Sequence, residues 1–182
     1  MRVITGTAGG RKLRTLEGVA TRPTGDKVKE GVFSAIQFDI EGRRVLDLFA
    51  GSGQLGIEAL SRGASSAVFC DNNPEAVKVI KENLQTTGFT CQSQVVGYSF
   101  EELLKNPPGK FDIAFLDPPY AAGILQRAAE MTVEAMSSCG IIVCEHDERT
   151  VLPEKIRNFI LKKRYRYGKT AVSLYRGSVE LE

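Results

Sequence analysis

The sequence predicts an α/β fold: a doubly wound, mostly parallel seven-stranded sheet that closes with an antiparallel hairpin, preceded by a small hairpin-and-helix extension. Three observations carry this. From Arg43 onward short apolar runs alternate with amphipathic stretches, the pattern of parallel strands joined by crossover helices that cover both sheet faces. The final stretch NFILKKRYRYGKTAVSLYR breaks that alternation, because two strand-like halves meet at Gly168 with no helix between them. The length of 182 residues suits one domain that buries roughly 70% of its unfolded surface.

Taken in order, MRVITGTAGGRKLRTL predicts two short strands turning around Ala8-Gly9-Gly10. In DKVKEGVFSAIQF, Val28, Val32, Ala35 and Ile36 recur at helical spacing, with Thr24 available to cap the first turn. Residues 1–40 therefore form an appendage to a main domain over 41–182. RVLDLF is the first strand of that domain, and LGIEALSRG is a helix closed by Gly63. SAVFCD is a strand, followed by a helix with Asn73 as cap, Pro74 in its first turn, Gly88 at its end and Ala76, Val77, Ile80 and Leu84 as its apolar stripe. QSQVVG is the third strand, and Ser99 with Glu102 makes a capping box for a helix over EELLKN. FDIAFL, a helix near ILQRAAEMTVEAM, and GIIVCE complete five strand units.

Composition narrows the class. With 42% hydrophobic and 25% charged residues the chain is of ordinary globular type. No apolar run approaches the roughly 20 residues of a membrane span, and the N-terminus lacks the apolar core of a signal peptide, so a cytoplasmic location is expected. Cys70, Cys91, Cys139 and Cys144 show no CxxC spacing and His146 is the single histidine, which leaves no metal set. Cys70 and Cys144 lie in strand-like runs and are expected as small buried hydrophobes. The net charge is only +2, yet basic residues gather at the two ends: Arg2, Arg11, Lys12, Arg14, Arg22, Lys27 and Lys29 near the start, and Lys155, Arg157, Lys162, Lys163, Arg164, Arg166, Lys169 and Arg176 near the finish. Such a distribution suits a phosphate backbone held by both termini. Arg2, Arg11, Lys12, Arg14, Arg22 and Lys27 are the expected contacts to such a nucleic-acid backbone.

The turn Asp47-Leu-Phe-Ala-Gly-Ser-Gly joins a strand to a helix, and Gly51, Gly53 and Gly56 satisfy GxGxxG, with Asp71 where a ribose-binding acid belongs. A nicotinamide dehydrogenase fits that fingerprint. Electrostatics favours another ligand, since Asp47 would repel a pyrophosphate at the helix N-terminus. S-adenosylmethionine carries no phosphate and does carry an ammonium, which Asp47 is expected to hold directly or through water. Gly51 and Gly53 are expected to let the backbone approach the ligand, Asp71 to accept from the ribose hydroxyls, and Tyr98 and Ser99 to flank the adenine. Phe49, Ala50, Ser52, Asn72 and Thr24 complete the expected cofactor shell.

FDIAFLDPPY ends a core strand with an acid, two prolines and an aromatic ring. Methylating an exocyclic amine demands placement, because the nitrogen lone pair is delocalised into the base. Asp117 can accept one amine N–H and the Pro118 carbonyl the other, while Pro118 and Pro119 fix the turn and bring no competing N–H. Tyr120 offers a ring for the base to stack on. A base in a duplex would have to flip out of its stack to arrive there. By the motif alone, the amine could belong to guanine, adenine or a glutamine side chain, and a catalytically idle RNA-binding module could keep the same fold.

DLFAGSG, an acid at the second strand and DPPY at the fourth together resemble class I Rossmann-like S-adenosylmethionine-dependent amino-methyltransferases. RPTGDKVKEGVF, DLFAGSGQLGIEALSRGA and YRYGKTAVSLYR resemble more narrowly the RsmD family of bacterial 16S rRNA guanine-N2 methyltransferases. The resemblance implies that Asp117, Pro118, Pro119 and Tyr120 are catalytic, that Asp47, Gly51, Gly53 and Asp71 contact S-adenosylmethionine, and that the target is one guanine of 16S rRNA in an assembled small subunit. A monomer that needs neither metal nor membrane is expected. The chain departs from the family pattern at Gly97-Tyr98-Ser99, where an acid usually follows the glycine, and at Lys27 and Lys29, where arginines are usual.

Overall fold

Local chemistry sets the helices. The computed structural model describes residues 1–16, 25–119 and 123–178. Helix α1, Asp26–Ala35, starts at Gly25, which takes the N-cap position without a side-chain cap; Thr24, expected to cap it, lies outside the described residues. Helix α2, Gln54–Ser61, is buried along its whole length, and the Gly63 and Ala64 amides close its end on the Leu60 and Ala59 carbonyls. Helix α3, Pro74–Thr87, has the polarity its sequence predicts: Asn73 accepts from the Glu75 amide at 3.0 Å, and Gly88 ends it in the left-handed region. Its buried stripe holds Ala76, Val79, Ile80 and Leu84 together with Asn83 and Thr87, so Val79 takes the place expected for Val77. Helix α4, Phe100–Lys105, is capped by the Ser99 hydroxyl accepting from the Glu102 amide, and α5 is Ile124–Thr132.

The strands are β1 (Arg44–Asp47), β2 (Ser66–Cys70), β3 (Ser93–Val96), β4 (Phe111–Leu116), β5 (Met136–Asp147), β6 (Lys155–Ile156), β7 (Phe159–Tyr167) and β8 (Thr170–Gly177). They form one sheet in the order β3-β2-β1-β4-β5-β8-β7-β6. The first five run parallel, and β8, β7 and β6 continue antiparallel. The described sheet thus has eight strands rather than the expected seven. The extra one is the two-residue β6, too short to leave a periodic signal, which shields the edge of β7. The C-terminal hairpin turns at Gly168, φ 65°, as its sequence predicts.

Strand alternation divides the core. One face, with Val45, Phe69, Ile113, Phe115, Val143 and Val172, packs under α1, α2 and α3. The other, with Leu46, Val68, Ala114, Leu116, Ile142 and Tyr175, packs under α4 and α5. Strand order reverses between β1 and β4, so their carboxyl ends open a crevice where such sheets take ligands.

The N-terminal segment forms a single antiparallel bridge, Arg2 with Lys12, rather than two regular strands. It is held by α2 and α3 instead of by its own ladder. Glu58, fully buried in α2, accepts from the Ile4 and Thr5 amides at 2.7 and 3.0 Å and pairs with Arg62. Asn83 of α3 accepts from the Arg14 amide and donates to the Arg14 and Ser52 carbonyls. Val3, Ala8 and Leu13 join the core under α1 and α2. Among the described residues no helix is long and apolar enough to cross a membrane.

Candidate active site

A cavity of about 1130 Å³ opens at the carboxyl ends of the parallel strands. The chain leaving β1 is pinned between its neighbours: the Leu48 amide donates to the Phe115 carbonyl at 3.0 Å and the Ala50 amide to the Cys70 carbonyl at 2.9 Å. Gly51 then turns with φ 55°, and its amide donates to Asp71 Oδ2 at 2.9 Å while Asp71 Oδ1 accepts from the Asn73 amide at 2.9 Å. Asp71 therefore fixes the glycine turn and faces the cavity. Phe49, Ala50, Gly51, Ser52, Asp71 and Asn72 line it from one side, Tyr98 and Ser99 from the end of β3, and Asp117, Pro118 and Pro119 from the end of β4.

A Cβ built on Gly51 meets nothing within 4 Å, so this glycine is needed for its backbone angle and lies against open space. Gly53 behaves differently. It is the left-handed N-cap of α2, φ 79°, and its Cβ would face Ile57, Ile80 and Phe69 at 3.4 Å; it serves the turn and the core rather than the cavity wall. Gly56 completes the fingerprint for a packing reason, since a Cβ there would lie 2.3 Å from the Phe69 ring.

Asp47 corrects the expectation of a direct ammonium contact. Its carboxylate is buried beneath the turn, accepts from the Gly56 amide at 2.9 Å, and is absent from the cavity wall. Burial pushes its pKa up to about 7, against the Gly56 hydrogen bond and with a smaller push from Asp71. Asp47 supports the loop from below.

Other expected residues fall as follows. Tyr120, Thr24 and Arg22 lie outside the described residues. Lys27 is exposed at the cavity rim. Arg2, Arg11, Lys12 and Arg14 are exposed on the N-terminal segment; Arg11 donates to the Thr86 carbonyl, and Arg14 pairs with Glu82. Lys29, counted among the basic ends, is fully buried: its Nζ donates to the Arg2 carbonyl at 2.6 Å and lies 3.7 Å from Glu58. Burial holds its pKa below the ordinary value against the pull of Glu58, and Lys29 is enclosed in the fold rather than exposed on the surface. At the other end Arg157, Arg166 and Arg176 pair with Glu134, Glu148 and Asp39. Cys70 and Cys144 are buried thiols pushed up to about 12, as expected of small hydrophobes.

Sequence reasoning missed Gln54, Phe100, Glu145 and Tyr167, all on the cavity wall. Phe100 packs on Phe49 with ring centroids 5.2 Å apart. Gln54 Oε1 is buried with no hydrogen-bond partner among the described residues. Glu145 carried the signal already read in Asp47, Asp71 and Asp117, an acid at the carboxyl end of a parallel strand. Among the described residues, Asp71, Glu101, Asp117 and Glu145 give the wall four carboxylates against one side-chain cation, Lys27. Such a wall favours a cationic ligand over a pyrophosphate. No group of three or more His, Cys, Asp or Glu residues suited to a metal occurs among the described residues.

The matching family model, described as Conserved hypothetical protein 95, spans residues 1–176. Ribosomal RNA small subunit methyltransferase D of Haemophilus influenzae is 35% identical over 182 residues, covering 96% of this chain and 93% of that protein. The chain belongs to the RsmD family. A second relative, Bacillus subtilis YlbH, is 42% identical over 182 residues, 97% of this chain and 98% of its own. The solved structure of Escherichia coli yhhF superposes with a TM-score of 0.88 at 30% identity and 98% coverage of both chains. The RsmD-family likeness thus includes the N-terminal segment and the C-terminal hairpin as well as the central sheet, and the class I Rossmann-like fold expected from sequence is the observed one.

Proposed function

We propose that the chain transfers a methyl group from S-adenosylmethionine to the N2 amine of a guanine in 16S rRNA, presented on the small ribosomal subunit. The observation that carries this is the convergence of the glycine turn, Asp71 and Asp117-Pro118-Pro119 on one cavity. The RsmD-family relative from Haemophilus influenzae, named for small-subunit ribosomal RNA, supports the substrate.

The residues fit the donor. A cavity of about 1130 Å³ exceeds the several hundred Å³ a ligand of this size needs. Asp71 stands at the wall for ribose hydroxyls, and the buried acceptor Gln54 Oε1 suits the ammonium, the role sequence gave to Asp47. Phe49 and Tyr98 provide apolar surface for the adenine. When bound, S-adenosylmethionine supplies an electrophilic methyl on a sulfonium sulfur.

The protein's share is placement. Asp117 accepts one amine N–H and the Pro118 carbonyl the other, which turns the nitrogen lone pair out of the ring plane. The Asp117 carboxylate also stabilises the positive charge that grows on nitrogen as the N–C bond forms, and the surplus amine proton leaves to water. Tyr120 gives the base a stacking surface.

The test incubates labelled donor with small-subunit particles, and separately with bare RNA, from a strain lacking the gene, and maps the modified nucleoside. Label in N2-methylguanosine of the particle RNA is the expected result. Label on adenine or on protein overturns the assignment, and calorimetric binding of a nicotinamide dinucleotide in place of S-adenosylmethionine overturns methyl transfer itself.

A further inference from the structure

Asp117 is not the only acid that the sheet brings to the acceptor end of the cavity. β5 lies beside β4 in parallel register, with Phe115 opposite Val143 and Leu116 opposite Cys144. Asp117 is the first residue past the end of β4, and Glu145 follows Cys144 within β5, so both come from the same end of the paired strands. Alternation sets the face of Glu145. Cys144 belongs to the core under α4 and α5, whereas Val143 belongs to the core under α1, so Glu145, the next residue of β5, returns to that second side. Both Asp117 and Glu145 line the cavity, and Glu145 is only 7% exposed. Glu145 thus presents a largely buried carboxylate on the wall of the cavity that Asp117 also lines.

Resting on the methyl-transfer reading above, we infer that Glu145 selects guanine by accepting the N1–H of the base while Asp117 holds the N2 amine. Guanine presents two adjacent kinds of donor on that edge, the N1–H and the N2 amine. With the amine hydrogens taken by Asp117 and the Pro118 carbonyl, the N1–H needs its own acceptor, and a hydrogen bond to an ionised carboxylate is among the stronger kinds. A base with an unprotonated ring nitrogen at N1 would set a lone pair against the Glu145 carboxylate. Adenine is such a base, so the pair of acids discriminates where the Asp-Pro-Pro-Tyr motif alone does not. The carboxylate has acceptor capacity for this bond alongside other partners.

The experiment uses small-subunit particles reconstituted with 16S rRNA that carries either guanine or 2-aminopurine at the methylated position. 2-Aminopurine keeps the 2-amine but has a bare acceptor at N1. The wild-type protein is expected to methylate guanine at least about tenfold faster in kcat/KM, and Glu145→Gln, whose amide N–H can donate to a bare N1, is expected to shift the ratio of the two substrates at least about tenfold toward 2-aminopurine. Equal use of both bases by the wild type overturns the inference without any variant. So does an unchanged ratio in Glu145→Gln, because a purely structural role lowers both rates together. Glu145→Asp, which keeps the acceptor, is expected to retain the guanine preference, and its loss also counts against the inference. Absence of wild-type label on guanine particles marks failure of the methyl-transfer reading itself.

Discussion

At the scale of single residues, the acids at strand ends divide by burial. Asp117 is half-buried on the cavity wall and Asp47 is shut beneath the turn, although sequence presents both as strand-end acids. Asp117→Ala is expected to lower turnover by at least about a hundredfold while calorimetric S-adenosylmethionine affinity stays near that of the wild type, since the proposed mechanism assigns Asp117 to the acceptor amine. Asp47 makes a different prediction. Its folded pKa, about 7, lies above its ordinary value of 3.8, so the folded state holds a proton that the unfolded chain releases. Its stabilising share is complete below pH 4 and is lost as pH rises to about 7. Asp47→Asn keeps an oxygen acceptor for the Gly56 amide and removes the buried charge. Its melting temperature in the absence of ligand is expected to exceed that of the wild type at pH 8 and to approach it at pH 5.

At the scale of elements, the N-terminal segment depends on side chains from helices far along the chain. Gly6, φ 89°, presses against the end of α2 so closely that a Cβ would fall 1.8 Å from the Ser61 carbonyl oxygen. Glu58 takes two backbone amides of that segment and sits with Lys29, also fully buried. Glu58→Ala would orphan those donors and leave Lys29 uncompensated, so a loss of about 3–5 kcal/mol in urea unfolding is expected. The helices themselves were legible: Asn73, Pro74, Gly88, Ser99 and Glu102 mark their ends by local hydrogen bonding. Glu58 and Asn83 were not, because a polar residue in a helix reads as solvent-facing until its remote partners are known. The two-residue β6 escaped notice for the same reason, existing only through its pairing with β7.

At the scale of the whole molecule, the tertiary structure thins out the basic ends. Lys29 is buried and Arg157, Arg166 and Arg176 are spent on acids, whereas Arg2, Arg11 and Lys12 stay exposed on the bridged N-terminal segment. Arg11→Glu is expected to weaken RNA binding and to reduce the slope of log affinity against log salt by about 1; titrations at several salt concentrations measure it, and an unchanged slope removes Arg11 from the interface. By itself the sequence determined the alternating α/β order, the C-terminal hairpin, the glycine turn and the acid-proline motif, because each is written in neighbouring residues through periodicity, capping and backbone preference. Only the tertiary structure decided that Asp47 lies beneath the cavity, that Lys29 and Glu58 lock the N-terminal segment, and that Glu145 lines the same cavity as Asp117. Those outcomes depend on which strands pair and in what register, and pairing between distant segments is fixed by burial of shared surface rather than by any local stretch of chain.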